Sequence, residues 1–291
     1  MTQWLDHLGA LADRYDGYVI DQFGVLHDGI TPYPGAAEAL RELRARGKRV
    51  IVLSNSGKRA APNAERLSRF GVTPAHYDAL ITSGELMFQM LRQRDRAPFD
   101  TLGRRVWLGH PAEDGPTLQG LDLEAVEDPA QADFVLLASL PDVAGAAEAL
   151  HPALDLALDR GLPLICANPD RQRLSARGVE PSSGALAQRH ADRGGEVVWL
   201  GKPHALIYTV CREALGRWGS RHFLAIGDSL EHDIGGGARA GYDTCFIAGG
   251  LHAADFASAA PAEATLARLL DSPPAHGAPA PTWALPTLRW A

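Results

Sequence analysis

The chain has 291 residues, 46% of them hydrophobic and 22% charged, with 28 Lys and Arg against 35 Asp and Glu. That is ordinary globular composition, long enough for one large domain or two of ordinary size. A net charge of −7 excludes a general attraction for nucleic acid or an anionic membrane and leaves room for a local basic pocket for a small anion.

In chain order, strands alternate with helices. Gly17–Ile20 is a short apolar strand leading into Asp21. Ala36, Leu40 and Leu43 fall at helical spacing, and Gly47 stops that helix. Arg49–Leu53 is a second strand, Pro62–Phe70 a helix, Ala79–Ile81 a third strand, and Leu86–Leu91 opens another helix. In the middle of the chain, Val106–Leu108, Phe134–Leu137 and Leu164–Ala167 read as strands. Val143, Ala147, Leu150, Leu154 and Leu158 mark a helix ended by Gly161. Phe223–Ile226 and Thr244–Ile247 are two late strands with a helix between them. Residues 272–281 are rich in Pro and Ala and read as an irregular connector. Trp283–Trp290 is aromatic enough to pack onto something. Strands apolar on both faces, alternating with helices, predict an α/β fold: a doubly wound, Rossmann-like parallel sheet. The middle block reads as an inserted domain with its own small core, giving a core of residues 1–100 and 184–291 around an insertion at 101–183.

No stretch approaches the roughly 20 apolar residues of a membrane span. Asp6, Asp13 and Asp16 near the start argue against a secretory signal. Cys166, Cys211 and Cys245 form no CxxC pair and read as reduced, buried thiols. A cytoplasmic protein without a zinc site or disulfide scaffold is expected.

Ligands of parallel sheets bind at the carboxyl ends of strands, so polar residues directly after apolar strands carry the candidate chemistry. Asp21, followed by Gly24, can point a carboxylate into the crevice while the backbone turns away. Ser54 and Asn55 offer hydroxyl, amide and backbone N–H groups to an oxyanion. Lys202, in Gly201-Lys202-Pro203-His204, can neutralise a phosphoryl group. Asp228 and Asp233 are two carboxylates five residues apart, able to bind a hard cation and to orient a lysine or a water. Gly235–Gly237 then lets the next helix approach closely. Each segment alone is better explained as a turn, a solvated lysine or a local loop; their conjunction is not.

These four segments resemble the signature motifs of the haloacid dehalogenase superfamily, which fall on Asp21, Ser54, Lys202 and the pair Asp228 with Asp233. The interval of about 150 residues between Ser54 and Lys202 resembles class IIA, which inserts a large α/β cap there, and Ala167-Asn168-Pro169-Asp170 resembles a cap segment of that class. The resemblance covers all but the C-terminal tail. It implies a Mg²⁺-dependent hydrolase of a small phosphorylated, sugar phosphate-like metabolite. Asp21 attacks phosphorus to form an aspartyl-phosphate. Mg²⁺ is held by Asp21, Asp228 and the backbone carbonyl of Phe23, and Ser54 and Lys202 stabilise the transferring group. Asp233 supports Lys202 or a metal-bound water, Asn55 backs up Ser54 or contacts substrate, Asp170 contacts substrate, and cap closure excludes water. Caps of this class often mediate dimers, so a homodimer is open by analogy.

One position departs from the pattern. Family phosphatases carry an acid/base Asp two residues after the nucleophile, and here that residue is Phe23. Four readings stay open: a substitute group among His27, Asp28, His204 and Asp170, with a packed turn histidine the preferred reading of His27; a leaving group that needs little protonation; attack on carbon, as in dehalogenases, which have an aromatic at this place; or a phosphometabolite-binding protein with weak turnover.

Overall fold

The computed structural model describes residues 2–175, 177–257, 260–273, 275 and 277–291. The chain forms two compact units, one of Met1–Ser54, Ala61–Ile81 and Lys202–Ala291, the other of Asn55–Ala60 and Thr82–Gly201.

The first unit is built on a seven-stranded sheet in the order Gln3–Trp4, Trp283–Leu285, Asp243–Ile247, Phe223–Gly227, Gly17–Asp21, Arg49–Ser54, Ala79–Thr82. The central pairs are parallel. Gly17–Asp21 is buried at all five positions, which is why its sequence shows an apolar run rather than alternation. Register aligns Ile20 with Val52 on one side and Ile226 on the other. Asp21, Ser54 and Asp228 therefore leave the sheet at the same edge, as parallel strands require.

Helix Ala36–Ala45 buries Ala36, Ala39, Leu40 and Leu43, the stripe of an amphipathic helix. It stops where Gly47 takes a left-handed backbone (φ 71°) and Lys48 N–H bonds back to Leu43. These side chains pack on Tyr18, Ile20, Val50, Val52, Leu224 and Ile226. A second cluster gathers Leu230, Ile234, Phe246, Leu266, Leu269 and Ala284.

The second unit has a five-stranded parallel sheet in the order Val197–Trp199, Leu164–Cys166, Phe134–Leu137, Arg105–Leu108, Glu124–Val126, and an antiparallel hairpin, Gln172–Ser175 with Gly178–Pro181. Its core includes Val135, Leu137, Leu154, Leu164, Leu186 and Ala187.

Several expectations need correction. The second unit is wider than residues 101–183. Helix Ser83–Gln93 belongs to it, as do helix Ser183–Asp192 and strand Val197–Trp199. The reason is pairing: Val197–Trp199 hydrogen-bonds beside Leu164–Cys166, so it extends the second sheet and Lys202 does not follow a strand of the first. The helix predicted from Val143 to Leu158 is two helices, Ala146–Ala149 and His151–Asp159, the second with Pro152 in its first turn. Between Phe223–Gly227 and Asp243–Ile247 lie a π-helical turn, Leu230–Gly235, and the short helix Gly236–Arg239. The C-terminal aromatic stretch packs, as expected, and does so as a strand where a tail was read: Trp283–Leu285 lies between Asp243–Ile247 and Gln3–Trp4. Trp283 also donates through Nε1 to the Tyr15 hydroxyl, which donates to Asp243. Pro274 and His276 of the proline-rich connector lie outside the described residues.

Candidate active site

Asp21 ends the central strand and is 8% exposed. Lys202 Nζ lies 2.5 Å from Asp21 Oδ1 and 2.7 Å from Asp233 Oδ1, so one ammonium bridges two carboxylates contributed by distant parts of the chain. The other oxygen of Asp233 accepts the Ser229 N–H at 3.1 Å. Asp228 Oδ2 accepts the Leu251 N–H at 2.7 Å. Ser54, also buried, ends the strand beside Asp21. Of the residues singled out from sequence, the first unit thus brings together Asp21, Lys202, Asp228 and Asp233.

Glycines make the packing around these carboxylates possible. A Cβ on Gly24, whose φ is +81°, would stand 1.7 Å from Asp228 Oδ2, and one on Gly250 would stand 2.3 Å from the same oxygen. The expected close approach at Gly235–Gly237 is present: a Cβ on Gly236 would meet the Tyr208 ring at 2.6 Å. Gly250 was not anticipated from sequence. The usable signal was a Gly-Gly pair two residues past the strand ending at Ile247, the same strand-end logic that singled out Asp21 and Asp228.

Burial pushes the Asp21 carboxyl up, the Lys202 charge pulls against it, and Asp233 and Asp228 add to burial; the net is well above the usual carboxylate range. Asp228 is pushed up to about 7, chiefly by burial and then by Asp233. Burial also opposes the charge on Lys202, but its two carboxylate partners outweigh that, and the ammonium is held charged. Three buried carboxylates thus face one ammonium, an excess of negative charge that a low-dielectric site tolerates poorly. Oxygens of Asp21, Asp228 and Asp233 lie within 4.8 Å of one another, and hard oxygen donors at that spacing fit a divalent cation of the Mg²⁺ or Ca²⁺ type.

The loop after Asp21 accounts for Phe23 and its neighbours. Phe23 is 50% exposed, its ring against Gly29 and edge-on to His27. His27 is wholly buried: Nδ1 accepts the Gly29 N–H at 2.9 Å, Nε2 lies 3.1 Å from the Gln22 amide, and the ring packs 4.6 Å from Phe70. Burial, with Arg66 adding, pushes its pKa down to about 4, so it is the packed turn histidine preferred from sequence. Asp28 closes an exposed turn by accepting from Ile30 and Thr31.

Asn55 and Asp170 belong to the second unit, where Asn55 Nδ2 donates to Asp170 Oδ1 at 2.8 Å. Asp170 N–H is 3.2 Å from Asn168 Oδ1. These two residues, separated by 115 positions, form one polar pair.

Comparison with known proteins follows the same lines. Residues 18–121 match the family described as haloacid dehalogenase-like hydrolase, and residues 199–272 match one described as HAD-hydrolase-like. The chain is 31% identical over 268 residues to the glycerol-3-phosphate phosphatase of Homo sapiens, covering 83% of this chain and 81% of the relative. A haloacid dehalogenase-like hydrolase from Brucella suis is similar in structure, with a TM-score of 0.79, 29% identity, and 98% and 99% of the two chains covered. The glycerol phosphate phosphatase of Mycobacterium tuberculosis in complex with magnesium is similar at a TM-score of 0.64 and 27% identity, covering 86% of this chain and 73% of that one.

Proposed function

Because this chain belongs to the haloacid dehalogenase-like hydrolases, we propose that it is a Mg²⁺-dependent phosphatase of a small phosphorylated, sugar phosphate-like metabolite. The observation that carries this is the buried cluster of Asp21, Lys202, Asp228 and Asp233 at the carboxyl edge of the sheet. Asp21 is the nucleophile, its carboxylate oxygen attacking phosphorus to give an aspartyl-phosphate that water then hydrolyses. Lys202 and Ser54 stabilise charge on the transferring group, and Asp233 holds Lys202 in place. Asp21, Asp228 and the Phe23 carbonyl would hold the cation, which supplies charge neutralisation when bound. Asn55 and Asp170 are assigned to substrate binding, and the second unit is read as the inserted α/β cap of class IIA. The relatives named above as phosphatases and the magnesium in one of them support this reading.

Among the described residues, no helix is long and apolar enough to cross a membrane. Three buried, unpaired cysteines support a reducing, cytoplasmic setting.

The test is release of inorganic phosphate, with and without Mg²⁺, across sugar phosphates, nucleotides, acyl phosphates and an activated aryl phosphate, with Asp21→Asn as the blank. Metal-dependent release that disappears in the blank is expected. Silence across the panel from a folded protein that binds Mg²⁺ would overturn the reading in favour of a phosphometabolite-binding protein, the alternative that Phe23 favours. Activity on a haloacid in chelator would instead mark attack on carbon.

A further inference from the structure

Cleaving the P–O bond of an alkyl phosphate leaves negative charge on a strongly basic alkoxide oxygen. Enzymes relieve this with a positioned general acid, worth about 10²–10⁴ in rate. Among the described residues of the carboxylate cluster and the 22–33 loop, the groups that could donate such a proton are already engaged, Tyr33 apart. Position 23 is a hydrocarbon ring. Both ring nitrogens of His27 are occupied and its imidazole is inaccessible to solvent. Asp28 accepts three hydrogen bonds, from Ile30 N–H at 2.8 Å, Thr31 N–H at 2.6 Å and the Thr31 hydroxyl at 2.9 Å, which suits a carboxylate acting only as an acceptor. The Lys202 ammonium is spent on Asp21 and Asp233, Asp233 also accepts from Ser229, and Asp228 accepts from Leu251. Tyr33 is the one further acid of the 22–33 loop, a phenol on a side chain packed against the core.

We infer that the substrate carries its phosphoryl group on an oxygen that departs as a stable anion, as in an acyl phosphate, a phosphoanhydride or an aryl phosphate, and not on an alcohol. The inference rests on the phosphatase reading but replaces its sugar phosphate-like substrate, an ester of an alcohol, with one of these. In the first step, an Asp21 carboxylate oxygen forms a bond to phosphorus. The bond from phosphorus to the leaving oxygen breaks, and that oxygen keeps the electron pair, taking no proton from the protein. In the second step, water attacks phosphorus, the bond to Asp21 breaks, and both water protons end on phosphate or in solvent. Such a substrate sets this chain apart from the human relative named for glycerol 3-phosphate.

The test uses the full chain with Mg²⁺ and measures kcat/KM for acetyl phosphate, inorganic pyrophosphate, a series of aryl phosphates from nitrophenol to phenol, and glycerol 3-phosphate. The expected result is a steep fall along the aryl series as the leaving phenol becomes more basic. Glycerol 3-phosphate should be at least about 10²-fold slower than acetyl phosphate, the span one missing general acid accounts for. Phe23→Asp should narrow that gap by raising the alkyl rate; if the variant does not fold, the wild-type series still decides. Comparable rates for alkyl and acyl substrates would overturn the inference and leave the phosphatase reading standing. So would a Tyr33→Phe variant that loses the alkyl substrate alone, which would identify Tyr33 as the acid. No release from any substrate would instead overturn the phosphatase reading itself.

Discussion

Replacing Lys202 with Met tests whether one ammonium holds this site together. The Lys202, Asp21 and Asp233 side chains are 4%, 9% and 5% exposed. Removing the cation strands Asp21 and Asp233 beside Asp228, three carboxylates within 4.8 Å. Breaking a buried pair from one side costs about 3–5 kcal/mol, because the remaining charge is left uncompensated. Methionine fills the stem's volume, so little of that loss is packing. The deficit should depend on pH. Without the ammonium, the native carboxylates bind protons more readily than the unfolded ones do, so the variant gains on wild type as pH falls. One additional proton held across pH 7 to 5 recovers up to about 2.7 kcal/mol. Urea unfolding in chelator at both pH values, for wild type and Lys202→Met, measures this directly. Adding Asp21→Asn to Lys202→Met should restore part of the loss, since it removes one stranded charge. A deficit below about 1 kcal/mol that is the same at both pH values would refute the charge-compensation argument.

Gly250→Ala drives a methyl group into Asp228 Oδ2 and the Gly24 carbonyl, and neither neighbour can retreat without disturbing the cation donors. We expect a stability loss of about 1–3 kcal/mol by denaturation and weaker Mg²⁺ binding by titration calorimetry. Gly216→Ala, in helix Ala205–Arg217 with nothing near the added carbon, should instead stabilise by about 0.5–1 kcal/mol; destabilisation there would contradict the open surroundings. In the second unit, burial raises Asp114 to about 6 against hydrogen bonds from Ser139. A carboxyl whose folded pKa is raised favours the fold below about pH 4, and that advantage, about 3 kcal/mol, is gone above about pH 6. Asp114→Asn should remove this dependence, and melting curves of the two proteins that stay parallel from pH 4 to 7 would count against it.

The strands that hold the site were legible because they are buried on both faces. Tyr18, Val19 and Ile20, or Val50, Ile51 and Val52, have no solvent side to carry polar residues. Edge strands lack that mark. Glu124–Val126 is largely exposed and Gln3–Trp4 is two residues long, so neither stands out from a loop. The sheet to which an apolar run belongs is also invisible locally: only the pairing of Val197–Trp199 with Leu164–Cys166 makes that run a strand of the second unit. Asp21, Lys202 and Asp228 were legible because each closely follows a recognisable apolar segment, and Asp233 because it stands five residues from Asp228. Gly24 and Gly250 gain their meaning from the Asp228 oxygen they share, a fact of three-dimensional contact.

The strand Trp283–Leu285 lies between Asp243–Ile247 and Gln3–Trp4. Gln3 and Trp4 emerge from the ribosome about 280 residues before Trp283 and Ala284, which pair with them. At about 5–20 residues per second, that is an interval of about 14–56 s. Throughout it the sheet edge at Asp243–Ile247, once made, has no neighbour on that side, and the first strand has no sheet to join. The edge therefore closes late in synthesis, by a contact of very long sequence separation. A nascent chain stalled before residue 283 presents an open, apolar strand edge of the kind that chaperones cover and aggregates extend.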